Sequence, residues 1–309
     1  MKIDSVVVLC WAGDFRLARI CLASVRYFYP RLPLYLMKDI TKGDFDTSEL
    51  EENLSVSTKG LSGAYGKFFG KIELLFLPEL GRFLFIDADQ IMTGPVVDAL
   101  ERVEAEFVVE PDNHAHPASD VVDRLYYNRR LLGQWNPGYE MPPYHFNSGQ
   151  WVARAGVLSR DDFNDIVDWN PRLTIRDPGI FCMTDQSILN YCFFRLARAG
   201  RITLQSAHFM LLVRTEDCRR AALDEIAARR APPLLFHWAG EHKSFVGLMK
   251  RSDLLRFFEQ WYYRRLKHGT RLRWSRRLAS APANAYAFAY WTAGRAKRRL
   301  RASLTRLTT

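Results

Sequence analysis

Short apolar runs alternate with segments of helical periodicity over the first hundred residues. Four apolar runs predict strands at Lys2–Trp11, Leu34–Met37, Phe83–Ile86 and Phe107–Val109. Apolar residues at helical spacing predict two helices, Phe15–Tyr29 and Tyr65–Leu80, which end before Pro30 and Gly81. Strands that alternate with helices in this way are typical of an α/β fold with a central, mostly parallel sheet flanked by helices.

The second half of the chain begins with a less regular segment. Residues 112–145 are polar and aromatic with scattered Pro and Gly, which predicts irregular structure with a short helix near Asp120–Leu132. Beyond it, the pattern predicts a helix at Asp185–Arg198, a strand at Leu234–Trp238 and an amphipathic helix at Asp253–Lys267. The alternation of strands and helices therefore extends through most of the chain.

The positive charge of the chain is concentrated at its C-terminus. The net charge is +10, but thirteen Lys and Arg residues and no acidic residue lie in residues 260–309, so residues 1–259 carry 31 basic and 34 acidic side chains. A domain that binds nucleic acid would carry its basic residues on the folded body, so we do not expect a nucleic-acid partner. We predict one α/β domain over residues 1–250 and a helical basic segment over residues 251–309.

The basic segment also contains aromatic residues. Basic clusters flank Tyr286, Phe288, Tyr290 and Trp291, which suits a helix in the membrane interface, with its cations against anionic lipid. Its apolar stretch, residues 281–294, has about 14 residues and a bilayer span needs about 20, so we expect no crossing. The alternative is a solvated helix whose charges aid solubility. We expect a cytoplasmic protein associated peripherally with the inner face of the membrane.

Two carboxylates directly follow the predicted strand Phe83–Ile86, in the run FLFIDAD. Asp87 and Asp89 would lie at the carboxyl end of that strand, where open α/β sheets bind their ligands. Oxygen ligands suit hard cations such as Mg²⁺ or Mn²⁺, which neutralise a pyrophosphate. The alternative is a strand-to-turn junction, in which Asp favours the turn. The motif alone leaves both interpretations open.

Three further polar motifs occur in the runs FNSG, TDQSILN and FHWAGEHK. Asn147 of FNSG fits an Asx-type turn before the run WVAR. Asp185 and Gln186 begin a helix, and an acidic first turn is a sufficient explanation for them. His237 offers an imidazole ligand and Lys243 a point charge for phosphate, although His237 alone also suits a buried core histidine.

Taken together and in this order, the motifs resemble retaining glycosyltransferase family eight, which includes glycogenin and bacterial lipopolysaccharide galactosyl- and glucosyltransferases. The family pattern is a helix with Lys or Arg, a strand ending in DxD, then FN[AS]G, DQ-x-x-LN and H-x-x-G-x-x-K. The matching positions are Lys71, Asp87–Asp89, Phe146–Gly149, Asp185–Asn190 and His237–Lys243. The resemblance covers roughly residues 5–245 and implies a GT-A fold.

The resemblance implies a metal and diphosphate site. Asp87, Asp89 and His237 would coordinate Mn²⁺, or Mg²⁺ in its place. Lys243 would hold the diphosphate of a nucleotide sugar, and Lys71 would contact the diphosphate or the donor sugar.

The resemblance also implies residues around the sugar and the base. Asp185 and Gln186 would lie beside the sugar, where we expect the catalytic groups. The other donor-binding positions that the motifs imply are Phe15, Ala88, Asn147, Ser148 and Gly240. Phe15 replaces the tyrosine that usually lies against the uracil, so stacking is kept and a hydroxyl is lost. Ser244 replaces a common proline.

The function that follows from the resemblance is transfer of a hexose from a UDP-sugar, with retention, to a glycan or glycolipid acceptor. Gln186 is a neutral amide and a poor nucleophile, so we favour attack by the acceptor on the face that the diphosphate leaves. One alternative is a phosphatase of the haloacid-dehalogenase class, whose first strand also ends in DxD. Another is a degenerate transferase that only binds carbohydrate, although such proteins typically lose the metal ligands that are present here.

Overall fold

The computed structural model describes residues 1–60, 66–112, 120–170, 172–181, 184–241 and 246–307. In chain order the strands of these segments are β1 (Ser5–Trp11), β2 (Leu34–Asp39), β3 (Ser57–Gly60), β4 (Arg82–Asp87), β5 (Gln90–Met92), β6 (Phe107–Pro111), β7 (Phe146–Arg154), β8 (Val167–Asp168), β9 (Thr174–Ile175), β10 (Leu204–Ser206), β11 (Met210–Leu212) and β12 (Leu235–His237). The helices are α1 (Phe15–Phe28), α2 (Ser48–Leu54), α3 (Gly66–Leu74), α4 (Val96–Leu100), α5 (Asp120–Leu125), α6 (Arg129–Trp135), α7 (Thr184–Arg198), α8 (Asp217–Arg220), α9 (Leu223–Ala227), α10 (Ser252–Arg264) and α11 (Gly269–Leu307).

A seven-stranded sheet with the order β10-β6-β7-β4-β1-β2-β3 forms the centre of the fold. Strand β1 pairs in parallel with β2 and β4, and β2 pairs in parallel with β3. Strand β7 is antiparallel to both β4 and β6. The predicted α/β fold with a central, mostly parallel sheet is thus confirmed.

The two faces of this sheet are covered by separate hydrophobic clusters. Val6 and Val8 of β1 belong to one cluster, and Val7 and Leu9 belong to the other. Alternating side chains of β1 therefore enter opposite cores, which explains why the strand reads as a continuous apolar run. The core places β1 and β4 at the middle of the molecule, with their carboxyl ends at one edge.

A smaller sheet, β11-β12-β5, lies next to the carboxyl end of β4 along the chain. Strand β12 pairs in parallel with β11 and antiparallel with β5. Only Ala88 and Asp89 separate β4 from β5, so the chain leaves the central sheet and enters the small one within the DAD motif. The two sheets therefore meet at the two carboxylates.

Helix α10 packs its apolar side against the core formed with α1. Leu254, Leu255, Phe258 and Tyr262 of this helix are buried in the same cluster as the apolar residues of α1. The helix follows the boundary that we predict at residue 250, and that boundary stays a prediction. Helix α11 follows and extends through the basic segment. Among the residues the structure describes, none of the helices is apolar over a stretch long enough to cross a membrane.

Three local predictions differ from the structure. The single short helix predicted near Asp120–Leu132 is two helices, α5 and α6, separated by residues 126–128. Helix α3 ends at Leu74, and a separate 3-10 turn spans Pro78–Leu80, because a proline disfavours helical backbone in the residue before it and cannot donate a helical hydrogen bond. The FNSG run is not a turn before a strand but the first part of β7. The strand continues through it because Phe146 still pairs with Pro111 of β6.

Candidate active site

Asp87, Asp89 and His237 lie together where the two sheets meet. Each offers a ligand atom, and the three atoms lie within 4.8 Å of one another. His237 comes late in the chain, but it pairs with Gln90 in the β12–β5 ladder, which brings its ring beside Asp89. The backbone nitrogen of Trp238 also donates to the carbonyl oxygen of Asp89 at 3.1 Å. Strand pairing therefore assembles the cluster.

The chemistry of this cluster fits a divalent cation. His237 is almost fully buried, and its Nδ1 has no hydrogen-bond partner within the described part of the chain, while its Nε2 lies 3.4 Å from Asp89 Oδ1. Burial raises the pKa of Asp87; the charge of Lys71 opposes this effect and that of Asp89 adds to it. Two carboxylates and an imidazole with an unpaired nitrogen form a ligand set that Mn²⁺ or Mg²⁺ accepts.

Gly149 leaves room for the cluster. A Cβ atom at this position would lie 2.6 Å from His237 Cε1 and 2.9 Å from Asp87 Oδ2. Its backbone nitrogen donates to Asn147 Oδ1 at 2.8 Å, so the Asx-type contact expected for FNSG is present inside a strand. The glycine of the motif is therefore needed because the backbone of β7 passes directly beside the cluster.

Lys71 on α3 connects the cluster to α7. Its Nζ lies 3.1 Å from Asp87 Oδ1, 3.0 Å from Asp185 Oδ2 and 3.2 Å from the carbonyl oxygen of Ser148. Burial alone would lower the pKa of Lys71, but the charges of Asp185 and Asp87 outweigh burial and raise it. The ammonium group is thus held charged between two carboxylates that belong to different motifs.

Asp185 and Gln186 in the first turn of α7 have different surroundings. Asp185 is buried and accepts a hydrogen bond from Ser148 Oγ at 2.7 Å in addition to its ion pair with Lys71. Gln186 Nε2 donates to the carbonyl oxygen of Leu125 at 2.9 Å. Gln186 Oε1 also accepts a hydrogen bond from the backbone nitrogen of Ser148 at 3.4 Å, so both side chains contact Ser148, and Gln186 in addition joins α5.

Of the remaining predicted donor residues, Ala88, Phe15 and Gly240 lie in described segments and Lys243 does not. Ala88 is buried between the two carboxylates. Phe15 begins α1, and its ring meets the edge of Phe45 at 5.6 Å. Gly240 follows β12 with a φ of +72°, a conformation that favours glycine. Lys243 lies in residues 242–245, which fall outside the described segments.

Two buried polar residues of the site are absent from the predicted set. Gln90 donates from Nε2 to the carbonyl oxygen of Gly149 at 2.7 Å and so joins the small sheet to β7. Asn190 makes reciprocal bonds with the backbone of Phe146, 2.9 Å in each direction, and donates to the carbonyl oxygen of Gln186. The available sequence signal was their position, since Gln90 follows DAD directly and Asn190 ends DQ-x-x-LN.

A cleft lies beside the amide side chains of Asn147 and Gln186. The cleft has a volume of about 140 Å³, and Glu110, Leu212 and Arg214 also contribute to its walls. It is lined by the ends of β6, β7 and β11 and by the start of α7. This cleft has a mixed polar and apolar lining, and it offers space for a second reactant beside Gln186, next to the predicted sugar position.

Solved structures of similar fold are glycosyltransferases. The bifunctional glycosyltransferase WbbM superposes with a TM-score of 0.55 at 15% identity, which covers 85% of this chain and 52% of WbbM. The galactosyltransferase LgtC, in complex with donor and acceptor sugar analogues, gives a TM-score of 0.52 at 14% identity, with 84% and 95% covered. An active-site variant of LgtC gives 0.53 at 13% identity, with 83% and 95% covered. No protein-family model and no curated protein matches the sequence.

The chain has a GT-A glycosyltransferase fold. It spans about half the length of WbbM and nearly all of LgtC. The structural similarity to WbbM and LgtC concerns the fold. It agrees with the GT-A fold that the resemblance of the ordered motifs to family eight implies. In the GT-A fold of this chain, the DAD motif lies at the carboxyl end of a central parallel strand, which is where open α/β sheets bind ligands.

Proposed function

We propose that this protein is a metal-dependent glycosyltransferase that moves a hexose from a UDP-sugar to a glycan or glycolipid acceptor with retention. The observation that carries the proposal is the cluster of Asp87, Asp89 and His237 at the edge of the GT-A sheet. One fold hosts many functions, so the cluster supports the chemistry more strongly than the likeness to WbbM and LgtC does. The choice of UDP and of a hexose rests on the resemblance to family eight.

The metal site would serve the leaving group. A bound Mn²⁺ or Mg²⁺ would stabilise the negative charge that develops on the diphosphate as the sugar–phosphate bond breaks. We assign Asp87, Asp89 and neutral His237 as its ligands. Lys243 would add a second positive charge at the diphosphate, and Lys71 would keep Asp87 in place.

Asp185 and Gln186 would have separate roles at the sugar. Asp185 is bound by Lys71 and by the hydroxyl of Ser148, so we assign it to positioning and to electrostatic support of the positive charge that develops on the sugar. Gln186 lines the cleft, and we assign it to contact with the sugar. Its neutral amide is a poor nucleophile, so the acceptor hydroxyl attacks from the side that the diphosphate leaves. The cleft would then hold the acceptor.

The test of this proposal is a panel of nucleotide sugars. We expect hydrolysis or transfer with a UDP-hexose, activation by Mn²⁺ and loss of turnover with a chelator. Asp89→Asn should reduce turnover at least about 100-fold, since a charged ligand aimed at the leaving group is lost. The exposed Asp224→Asn makes the same chemical change on α9 and should retain activity.

Three results would contradict parts of the proposal. Full turnover in the presence of a chelator would exclude the metal role. Calorimetric binding of GDP or CMP without binding of UDP would exclude the donor. An α-linked donor that gives a β-linked product, as determined by NMR of the linkage, would exclude retention.

We further propose that the basic segment holds the protein at the inner face of the cytoplasmic membrane. In α11 the apolar residues Trp274, Leu278, Tyr286 and Tyr290 are at least half exposed. Basic residues lie on both sides of these positions in the sequence. Aromatic rings at headgroup depth and cations against anionic lipid would place the site near a lipid-linked acceptor.

A further inference from the structure

Three arginines line a cavity of about 190 Å³ between the body of the molecule and the basic segment. Arg16 comes from α1, Arg256 from α10 and Arg277 from α11, and Ser280 contributes a hydroxyl group. The short turn Val246–Leu248 closes the remaining wall. Of the described residues that are predicted to bind metal or donor, none lines this cavity. The cavity wall thus does not include Asp87, Asp89 or His237.

One buried carboxylate, Glu259, binds two of these arginines, Arg16 and Arg277, together with Arg273. Glu259 is 2% exposed, and its Oε1 accepts from Arg16 at 3.1 and 2.8 Å. Its Oε2 accepts from Arg277 at 2.7 Å and from Arg273 at 3.1 Å. Burial alone would raise the pKa of Glu259, but Arg16 and Arg277 outweigh burial and lower it. A single negative charge therefore holds three guanidinium groups.

The arginines around Glu259 outnumber it, and the neighbouring contacts do not neutralise their remaining positive charge. Glu49, the other carboxylate in this network, is already bound by Arg19 and Arg276. Arg256 makes a contact of 3.4 Å with the carbonyl oxygen of Gly247, which brings no negative charge. Among the described residues, Arg256 has no carboxylate partner, so its guanidinium keeps both charge and donor capacity for an anion. Arg16 and Arg277 add positive charge beside it.

We propose that this cavity is a binding site for a phosphate group. Three arginines around one space suit the oxygens of phosphate, which accept charge-assisted hydrogen bonds from guanidinium groups. A cavity of about 190 Å³ holds about six times the ~30 Å³ that one water occupies in the liquid, so a phosphate fits. Two sources supply this chemistry: the headgroup of a phospholipid, or a soluble phosphate. Because Arg277 and Ser280 lie on α11, a headgroup bound here would orient the proposed membrane helix.

The test uses the full chain with two probes at low salt. Inorganic phosphate is titrated by calorimetry, and vesicles of phosphatidylcholine with phosphatidic acid are used for sedimentation. Arg256→Gln and Arg277→Gln should each weaken binding at least about tenfold, because a charge-assisted pair of hydrogen bonds is lost. The matched control is Arg271→Gln, which removes the same charge from an exposed position of α11 and should change binding less than about twofold.

Each outcome has a defined meaning. Selective loss with inorganic phosphate alone assigns the site to a soluble phosphate, and selective loss with the vesicles assigns it to a headgroup. The proposal is overturned if neither probe binds, or if the three variants weaken binding equally, which would indicate diffuse charge. Thermal unfolding of each variant verifies the fold, and Arg256→Gln is the safer variant because it leaves Glu259 paired. Hydrolysis of a UDP-sugar without phosphate or vesicles tests the proposed function separately.

Discussion

Gly149 shows how closely the backbone of β7 approaches the cluster of Asp87, Asp89 and His237. A methyl group there would lie within 2.9 Å of both His237 and Asp87, so one of these side chains would have to move. We expect the protein to remain folded, because an added methylene in a packed region typically destabilises by only about 1–3 kcal/mol. The effect on the geometry of the site should be larger. A shift of about 1 Å at a reacting centre is enough to reduce rates about 100-fold.

We therefore expect Gly149→Ala to reduce Mn²⁺-dependent turnover about 100-fold while the cooperative unfolding transition remains. The measurements are turnover at saturating Mn²⁺ and urea unfolding monitored by circular dichroism. The matched control is Gly133→Ala in α6, where an added Cβ meets nothing within 4 Å and alanine favours the helix. Normal turnover of Gly149→Ala would show that the cluster does not need this close approach.

At the scale of elements, the attachment of α7 to β7 depends on Asn190. Its side chain bonds the backbone of Phe146 in both directions and also bonds the carbonyl oxygen of Gln186. Asn190 is fully buried, so these backbone groups have no access to water if the amide is removed. The start of α7, which carries Asp185 and Gln186, is thus positioned by a buried side chain that bonds backbone groups of Phe146 and Gln186.

Asn190→Ala should destabilise the protein by about 3 kcal/mol, because an unsatisfied buried polar group costs about 1–3 kcal/mol and more than one would be left. Turnover should also fall, since Gln186 loses its support. Urea unfolding gives the first quantity and steady-state kinetics the second. Unchanged stability would mean that the backbone of Phe146 finds other partners.

Glu259 joins three helices, since Arg16 lies on α1 and Arg273 and Arg277 lie on α11. Removing one partner of a buried ion pair is strongly destabilising, by about 3 kcal/mol or more, and we expect this loss for Glu259→Gln. The exposed Glu104→Gln serves as the control. A stability equal to wild type would show that the arginines are solvated without Glu259.

The pH dependence of this connection has a definite sign. The folded pKa of Glu259 and that of Glu49 lie below their ordinary value. A lowered pKa means that the stabilisation is present above the unfolded value of about 4.3 and is lost as the pH falls through the folded pKa. Limited proteolysis should therefore release α11 in acid below about pH 4 in the wild type, and Glu259→Gln should show less of this pH dependence.

At the scale of the whole molecule, the position of α11 suggests how to remove the proposed membrane contact without damaging the body. Truncation before residue 268 would remove Arg273, Arg276 and Arg277, and the carboxylates of Glu259 and Glu49 would lose partners. A chain that ends at Ala281 keeps those pairs. It lacks the aromatic residues from Tyr286 onward and the last basic cluster.

We expect the full chain to sediment with anionic vesicles at low salt and not with neutral ones. The chain ending at Ala281 should bind at least tenfold more weakly, since each lost cation near such a surface contributes about 1 kcal/mol. Binding should also decrease with ionic strength because salt screens exposed charges. Equal sedimentation of the two chains, or no binding of the full chain, would exclude the membrane role of the segment.

Much of this protein follows from local patterns in its sequence. Continuous apolar runs in β1 and β4 are sufficient to predict strands covered on both faces, and the polar residues Asp87 and Asp89 mark the end of one of them. The order of the motifs is sufficient to predict a GT-A fold. These features can be predicted locally because the burial of a strand or of one helix face determines which nearby sequence positions are apolar.

Contacts between distant segments required the folded chain. The β12–β5 ladder places His237 beside Asp89, Lys71 lies between Asp87 and Asp185, and Glu259 gathers arginines from two other helices. No local pattern of apolar and polar residues predicts these pairings, because each depends on which strands and helices become neighbours in the fold. That choice is made by the packing of the whole chain, in which buried charges and amides must find partners wherever the fold brings them together.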